Sequence, residues 1–385
     1  MTTNNKNIDK QGKKLLNVPN LRFPEFEGEW EYVSLQELAP NISSGKDKPT
    51  NGEVTLYGST GRMGKTDKVT YNEEIILVAR VGANAGTIQI VNEPCGVTDN
   101  ALVLNAHTWN HYIYYYLQQY NLNRLVFGSG QPLITGGMLK KIKIGFGCEA
   151  ERDKIYKTLM LIDERISTQN RIIEDLRSLK IYIHNRVFSK GNTLFGQRNS
   201  IRLSDVATKI TRKNKGNTII NVLSNSATMG IVPQAKVFDK EIVNEDNTAN
   251  YYVIEKGNFV YNPRKSAQAP FGPINMYKGQ VEGIISPLYL CFQVTDINKN
   301  YLLHYFMSGA WYSYIYSNGD TGVRHDRVSI KDETFLDMPL YIHTVDKQQE
   351  IAKMMDQIDA KIDLEELYLT KLQKQKNYLL EAMFV

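Results

Sequence analysis

Two long stretches of the chain place an apolar residue at alternating steps of four and three. In the first, Ile155, Leu159, Ile162, Ile166, Ile173, Leu176, Ile183 and Val187 share one stripe, interrupted by Gln169 and Lys180. In the second the stripe is Ile351, Met355, Ile358, Ile362, Leu369, Leu372, Leu379 and Met383, interrupted by Glu365 and Lys376. Both interruptions recur 196 residues apart. A seven-residue period kept for this length predicts two helices, each burying a seam against another helix. Each stripe covers roughly 33 residues, or roughly 50 Å of straight helix, which a small domain cannot cover by itself. The other stripe is the natural partner. The polar, glycine-containing stretch 189–200 (SKGNTLFGQRNS) suits a reversal, so an antiparallel pair is expected. The rival reading, two unrelated helices each packed on its own domain, does not account for the shared register.

The rest of the pattern repeats as well. VSLQELA (33–39) recurs as IRLSDVA (201–207), each running into a basic, polar segment, SSGKDK and TKITRKNK. The stretch beginning at Gly96 (GVTDNALVL) resembles that beginning at Gly283 (GIISPLYLC), and aromatic segments follow at 112–117 (YIYYYL) and 301–306 (YLLHYF). Short β-prone runs such as EEIILVARV and GNFVYN alternate with Gly, Asn and Pro turns, and the tyrosine-rich stretches 112–120 and 301–316 read as helical. The expected fold class is α/β: two similar globular domains joined by an antiparallel two-helix coiled coil, with a pseudo-two-fold internal repeat. The expected boundaries are a mobile tail at 1–16, a first domain at 17–148, a helix at 149–188, a linker at 189–200, a second domain at 201–344 and a closing helix at 345–385. The opening motifs lie 168 residues apart and the closing stripes 196, so the second half carries 28 more residues in loops or added elements. One frame with two sets of loops points to one task performed on two targets.

Composition narrows this. A chain of 385 residues exceeds one ordinary core. Lys and Arg (46) outnumber Asp and Glu (41), a formal charge of +5, which permits an anionic partner without demanding one. Twenty-three tyrosines suit polar interfaces. Cys95, Cys148 and Cys291 are odd in number and widely spaced, as expected of reduced thiols. No apolar run approaches a membrane span, and the polar, basic start MTTNNKNIDKQGKK is not a secretory signal. The expected compartment is the cytoplasm.

Catalytic patterns fall short. GSTGRMGKT (58–66) imitates a phosphate-binding loop but has Ser59 where the first glycine belongs, and no helix is expected behind it. His107 and His111 have a ligand spacing, yet Thr108 replaces the glutamate of a metal-site motif, so surface histidines and no metal are expected. SPLY (286–289) lacks the second proline of a methyltransferase loop, and no glycine-rich cofactor loop, GxSxG elbow or Cys–His setting accompanies it. No catalytic residue is expected.

Basic residues instead cluster in glycine- and asparagine-rich loops. The first half offers Lys46 and Lys48; then Arg62 and Lys65 beside Tyr57, Ser59 and Thr60; then Arg80 with Asn84. The second offers Arg212, Lys213 and Lys215; then Arg264 and Lys265; then Arg324, His325 and Arg327, with Asn225 in the stretch LSNSATMG. Such side chains neutralise phosphates, and Arg and Asn fork onto purine edges. Three clusters per half in corresponding places favour a DNA-binding set over a merely solvated surface.

The stretch Asn20–Trp30, NLRFPEFEGEW, followed by VSLQELA, resembles the opening of specificity subunits of type I restriction–modification enzymes. The resemblance extends to nearly the whole chain, including the two halves that each close on a long helix, near Phe188 and Phe384. It implies a non-catalytic subunit in which an antiparallel coiled coil separates two target-recognition domains, each reading one half of a bipartite, asymmetric DNA site. It also implies two modification subunits, which methylate adenine with S-adenosylmethionine, and two restriction subunits, which hydrolyse ATP with Mg and cut DNA. Neither cofactor is expected on this chain. The recognition halves of that family vary too much for any base contact to be carried over, so the DNA candidates above rest on residue type and loop context. The alternatives are a fused methyltransferase or nuclease, and a coiled-coil scaffold whose halves bind a non-DNA ligand.

Overall fold

The computed structural model describes residues 17–125, 132–189, 191, 194–236, 248–320 and 326–385. The expected tail at 1–16 and Lys190, Asn192 and Thr193 of the expected linker lie outside these residues. The chain divides into two compact units, one made of the residues up to Asn170 together with Leu367–Val385, the other of Arg171–Glu366.

The first unit runs β1 (Glu31–Ser34), α1 (Leu35–Leu38), β2 (Ser43–Ser44), β3 (Val54–Gly58), β4 (Gly61–Thr66), β5 (Ile75–Ala79), β6 (Ile88–Val91), β7 (Cys95–Val97), β8 (Ala101–Leu104), α2 (Asn110–Tyr120), α3 (Gly136–Lys140) and β9 (Lys143–Phe146). The long helix α4 (Glu149–Phe188) follows. One sheet has the order β2-β8-β5-β6 and a second β4-β3-β7, in which β3 and β7 are parallel. The run IILVA of β5 is buried along its whole length because both of its faces are covered. Ile76 and Val78 join Leu102, Leu104 and the apolar side of α2, whereas Ile75 and Leu77 join Val103, Tyr57 and Val97. The two-residue period of a strand thus divides one apolar run between two cores. β1 pairs with β9 in the register Val33↔Ile144, which ties the start of the unit to the strand leading into α4.

The second unit repeats this plan with β10 (Asn199–Arg202), β11 (Ala207–Lys209), β12 (Val222–Ser226), β13 (Gly230–Pro233), β14 (Tyr252–Ile254), β15 (Phe259–Tyr261), β16 (Ile274–Met276), β17 (Gly283–Ile285), β18 (Leu290–Val294), α5 (Lys299–Met307), α6 (Tyr312–Asn318), α7 (Asp332–Leu336), β19 (Pro339–Ile342) and α8 (Val345–Met383). Its sheets are β11-β18-β15-β16 and β13-β12-β17-β14, again with one parallel neighbour pair, β12 and β17. β10 pairs with β19 as β1 does with β9. β14 stands where the first unit has only the bridge Tyr71↔Cys95. The offset between counterparts grows from 168 residues at β3 and β12 to 188 at β7 and β17 and 196 at β9 and β19. The additional residues therefore lie mostly between β13 and β17, with the rest ahead of β19.

Each unit contains a segment of both long helices. In the first, Ile155 and Leu159 of α4 share a core with Leu380 and Met383 of α8, and Asp163 takes Lys376 at 2.7 Å. In the second, Val187 and Phe188 share a core with Ile351 and Met355, and Lys180 meets Asp359 at 2.5 Å while Arg177 meets Glu366 at 2.6 Å. In both, stepping forward along α4 means stepping back along α8, so the segments are antiparallel. That arrangement excludes each helix packing alone on the domain it follows. Ile155, Leu159, Ile162, Ile173, Ile351, Met355, Ile362 and Leu372 are buried, and Ile166, Leu176, Ile183, Ile358, Leu369 and Leu379 are half-buried. The two lysines that interrupt the stripes are those whose ammonium groups meet Asp359 and Asp163, so two of the four polar breaks in the seam are charge-matched across the helices.

The end of each long helix is an aromatic anchor. Phe384 packs edge-on against Tyr112 and Tyr116 of α2, at 5.4 and 5.5 Å between ring centres. Phe188 does the same against Tyr301 and Tyr305 of α5, at 5.4 and 5.5 Å. The helix that closes one repeat therefore ends on the aromatic helix of the other.

Candidate nucleic-acid interface

In the first unit the stretch that imitates a phosphate loop is a β-hairpin, β3–β4, with no helix behind it. Its turn favours glycine at Gly61, whose φ is +94°. The Tyr57 hydroxyl donates to Glu93 Oε1 at 2.5 Å, and Arg62 donates to both, at 3.1 Å to the hydroxyl and 3.0 Å to the carboxylate. The hydroxyl's hydrogen bond holds the Glu93 carboxyl below its ordinary range, while burial raises the Tyr57 hydroxyl above its own. Tyr57 itself is buried, whereas Thr60, Arg62 and Lys65 are exposed and Ser59 half-buried. Lys46 and Lys48 are exposed on either side of Asp47, whose carboxylate accepts the Val97 amide at 2.8 Å and the Thr70 hydroxyl at 2.7 Å. The same segment then runs beside β4, with the Thr50 amide on the Lys65 carbonyl. The segment that carries the first basic cluster is thus fastened to β7 at Asp47 and reaches β4, which carries the second cluster, at Thr50.

Arg80 and Asn84 lie on the separate connection between β5 and β6. Val81 bridges Leu133, the Ile134 amide donates to the Arg80 carbonyl at 2.9 Å, and Asn84 is exposed at the turn.

In the second unit Arg212 makes a bidentate pair with Glu282, with Nη2 at 3.1 Å from Oε2, and Lys213 and Lys215 are exposed nearby in sequence. Arg264 and Lys265 lie on the connection between β15 and β16. Arg264 forms a bridge with Arg327, and the Lys265 amide donates to the Asp326 carbonyl at 2.8 Å. Arg324 and His325 lie outside the described residues.

Two expectations are corrected here. Asn225 is buried, and its amide donates to the Val260 and Pro273 carbonyls at 2.8 and 3.2 Å while its oxygen accepts from Asn275 at 2.7 Å. With those positions filled it fastens β12 to β15 and β16 and has no edge left to offer a base. The basic clusters also do not correspond in the order in which they occur along the chain. Arg264 and Lys265 occupy the counterpart of the Arg80–Asn84 connection, not of the hairpin that carries Arg62; the hairpin's counterpart, β12–β13, pairs Asn225 with Ile231.

Several groups that matter here went unnoticed in the sequence. Glu93 braces Arg62, and the Asn262 side chain holds the Arg264 amide at 3.0 Å. Two buried histidines are joined, His184 Nε2 to His304 Nδ1 at 3.3 Å, and His304 Nε2 reaches the exposed Asp356 at 3.0 Å. A single histidine in the otherwise apolar YLLHYF was the available signal for the last. Burial pushes the thiols of Cys95 and Cys291 up to about 11 and about 12, which keeps them protonated at neutral pH. His111 pairs with Glu74 at 3.1 Å and stacks on Tyr156. Among the described residues no three metal-ligating side chains come together, and no helix is long and apolar enough to cross a membrane.

The family model for the type I restriction modification DNA specificity domain matches residues 27–178 and 199–374. The type I restriction enzyme MjaVIII specificity subunit of Methanocaldococcus jannaschii is 28% identical over 173 residues, covering 43% of this chain and 37% of that relative's length. The S subunit of a type I restriction–modification system from M. genitalium has the same fold, with a TM-score of 0.58 at 17% identity over 96% of this chain and 99% of the other. A chain from a structure describing complex assembly and conformational transition of the type I R-M system gives 0.56 at 13% identity, over 94% and 98%.

Proposed function

The chain belongs to the family of type I restriction modification DNA specificity domains, and on that premise we propose that it reads a bipartite, asymmetric DNA target for a type I restriction–modification complex. The observation that carries the reading is one α/β frame built twice, each copy with basic loops of its own on an otherwise similar set of strands. Two frames that differ in their loops can each select a different short sequence. The helices α4 and α8 supply the spacer: a straight helix of 40 residues spans about 60 Å. Each helix also ends on the body of the other repeat, which suits a spacer of fixed length.

The chain itself acts as a non-catalytic subunit in the cytoplasm. Two modification subunits, carrying S-adenosylmethionine, dock along the helices, and two restriction subunits, carrying ATP and Mg, complete the complex. Lysine and arginine contacts to phosphates make such binding fall steeply with salt. The test is to express the chain with its modification subunits and map methylated adenines across the host genome. Two short specific sequences separated by a fixed unread spacer are expected. A continuous recognition sequence, or methylation without sequence preference, would overturn the proposal.

A further inference from the structure

One basic cluster changes place between the two units, and we propose that they read DNA with different elements: the first through Arg62 and Lys65 on the β3–β4 hairpin, the second through Arg264 and Arg327 on paired backbone segments beside β15. This rests on the reading of the chain as a DNA specificity subunit and deepens it.

The correspondence is set by backbone pairing and not by sequence order. In the first unit the segment after β5 bridges Val81 to Leu133; in the second the segment after β15 bridges Arg264 to Arg327. The flanking hydrogen bonds match as well: the Gly82 amide on the Pro132 carbonyl in one, the Lys265 amide on the Asp326 carbonyl in the other. At this bridge, then, two apolar residues in one unit are replaced by two guanidiniums in the other. At the hairpin the exchange runs the opposite way. β4 carries Arg62 and Lys65, whereas β13 reads Gly230-Ile-Val-Pro233.

The paired arginines of the second unit are costly without an anion to receive them. Like charges directly opposite across a strand pair repel. Among the described residues the carboxylate facing both arginines is Asp326, and it stands 3.8 Å from each, at the outer limit of an ion pair. The Arg264 side chain is 61% exposed and that of Arg62 71% exposed. Tyr57 with Glu93 holds the Arg62 guanidinium, and Asn262 accepts the Arg264 backbone amide and so fixes where that residue leaves its loop. A guanidinium this exposed can fork onto a guanine edge. Lys65 and Arg327 then supply charge for the adjoining phosphates.

The experiment uses the full chain with its modification subunits and duplex DNA carrying the mapped target, one half-site randomised at a time. Two variants are compared, R62A/K65A and R264A/R327A, and a melting curve for each confirms folding; three of the four residues are exposed and Arg327 is half-buried. Each variant is expected to lose about tenfold or more of its preference at one half-site and keep the other, and the two variants should fail at opposite half-sites. If R264A/R327A keeps both preferences, or if both variants blur the same half-site, the assignment is overturned. A uniform loss at every sequence with a shallower salt dependence also overturns it, because that marks phosphate contact alone. If the unaltered chain shows no preference at either half-site, the underlying functional reading falls as well, and that result is distinct from the other three.

Discussion

The two places where a long helix ends on a globular body are alike in their anchors and unlike in what fills the space around them. Phe384 and Phe188 meet tyrosine pairs at the same distances, and Lys376–Asp163 in one unit answers Lys180–Asp359 in the other. Beside those anchors the first unit has Tyr115, whose hydroxyl donates to Asp163 at 2.9 Å, whereas the second has His304 linked to His184 and Asp356. The position matching His184 on the other helix, 196 residues on, is Leu380, which is buried in the first unit's core. An apolar anchor with one matched ion pair therefore suffices to define the junction, and the remaining space tolerates either an aromatic or an imidazole filling.

The largest effect should come from removing an anchor. Truncating a buried phenylalanine costs about 3–5 kcal/mol through lost burial and the cavity left behind. Because a chain of two units need not unfold in one step, hydrogen exchange followed strand by strand is the proper readout. Phe384→Ala should lower protection in β5 and β8 of the first unit, and Phe188→Ala in β15 and β18 of the second. Equal loosening of both units by either variant would show that the anchors do not act locally.

Acid should separate the units next. Burial pushes His184 down to about 4 and His343 to about 4, and lowers His304 as well; Lys180 on α4 and Asp356 and Asp359 on α8 face the pair His184–His304. A histidine whose folded pKa lies below its unfolded value of about 6.5 is protonated first in the unfolded chain. The stability it contributes is complete above about 6.5 and is lost as the pH falls toward 4. The first unit has no buried histidine among its described residues. Urea midpoints for the second unit should drop between pH 7.5 and 5 while those for the first hold. Replacing the pair with the residues of the first unit, His184→Leu with His304→Tyr, should reduce that difference to the part that His343 contributes. A second unit indifferent to pH before any substitution would remove the histidines from the comparison.

These contrasts mark what a sequence pattern carries. The seam at Ile155–Val187 and Ile351–Met383 was legible because a seven-residue period survives in any context where one stripe is buried. The strand β5 was legible as a strand, but its division between two cores was not, since a run buried on both faces shows no alternation. The extra residues between β13 and β17 shift every later position, so Arg264 falls in line with Arg62 by order and with Val81 by backbone pairing. Asn225 looked like a turn residue because asparagine favours turns, and its three bonds inside the sheet come from residues 35 to 50 positions away. His184 sits one place off the seam at Ile183, so periodicity alone could not single it out.

The smallest test concerns the motif that first revealed the repeat. VSLQELA and IRLSDVA both leave a strand and enter a short helical turn, yet only the first begins with a side chain that can cap it. The Glu37 amide donates to Ser34 Oγ at 3.3 Å, and the Ser34 amide donates to Glu37 Oε1 at 3.2 Å, a reciprocal box. In the second unit the Arg202 amide donates to Asp205 at 2.8 Å, but arginine has no acceptor to return. Ser34→Ala should therefore cost about 1 kcal/mol in the first unit. Arg202→Ala should stay within about 0.5 kcal/mol, because its contact with Asp337 is an exposed ion pair. Urea midpoints read on the separate units measure both. An equal cost for the two substitutions would mean that strand pairing of β1 and β10, and not the cap, holds these turns in place.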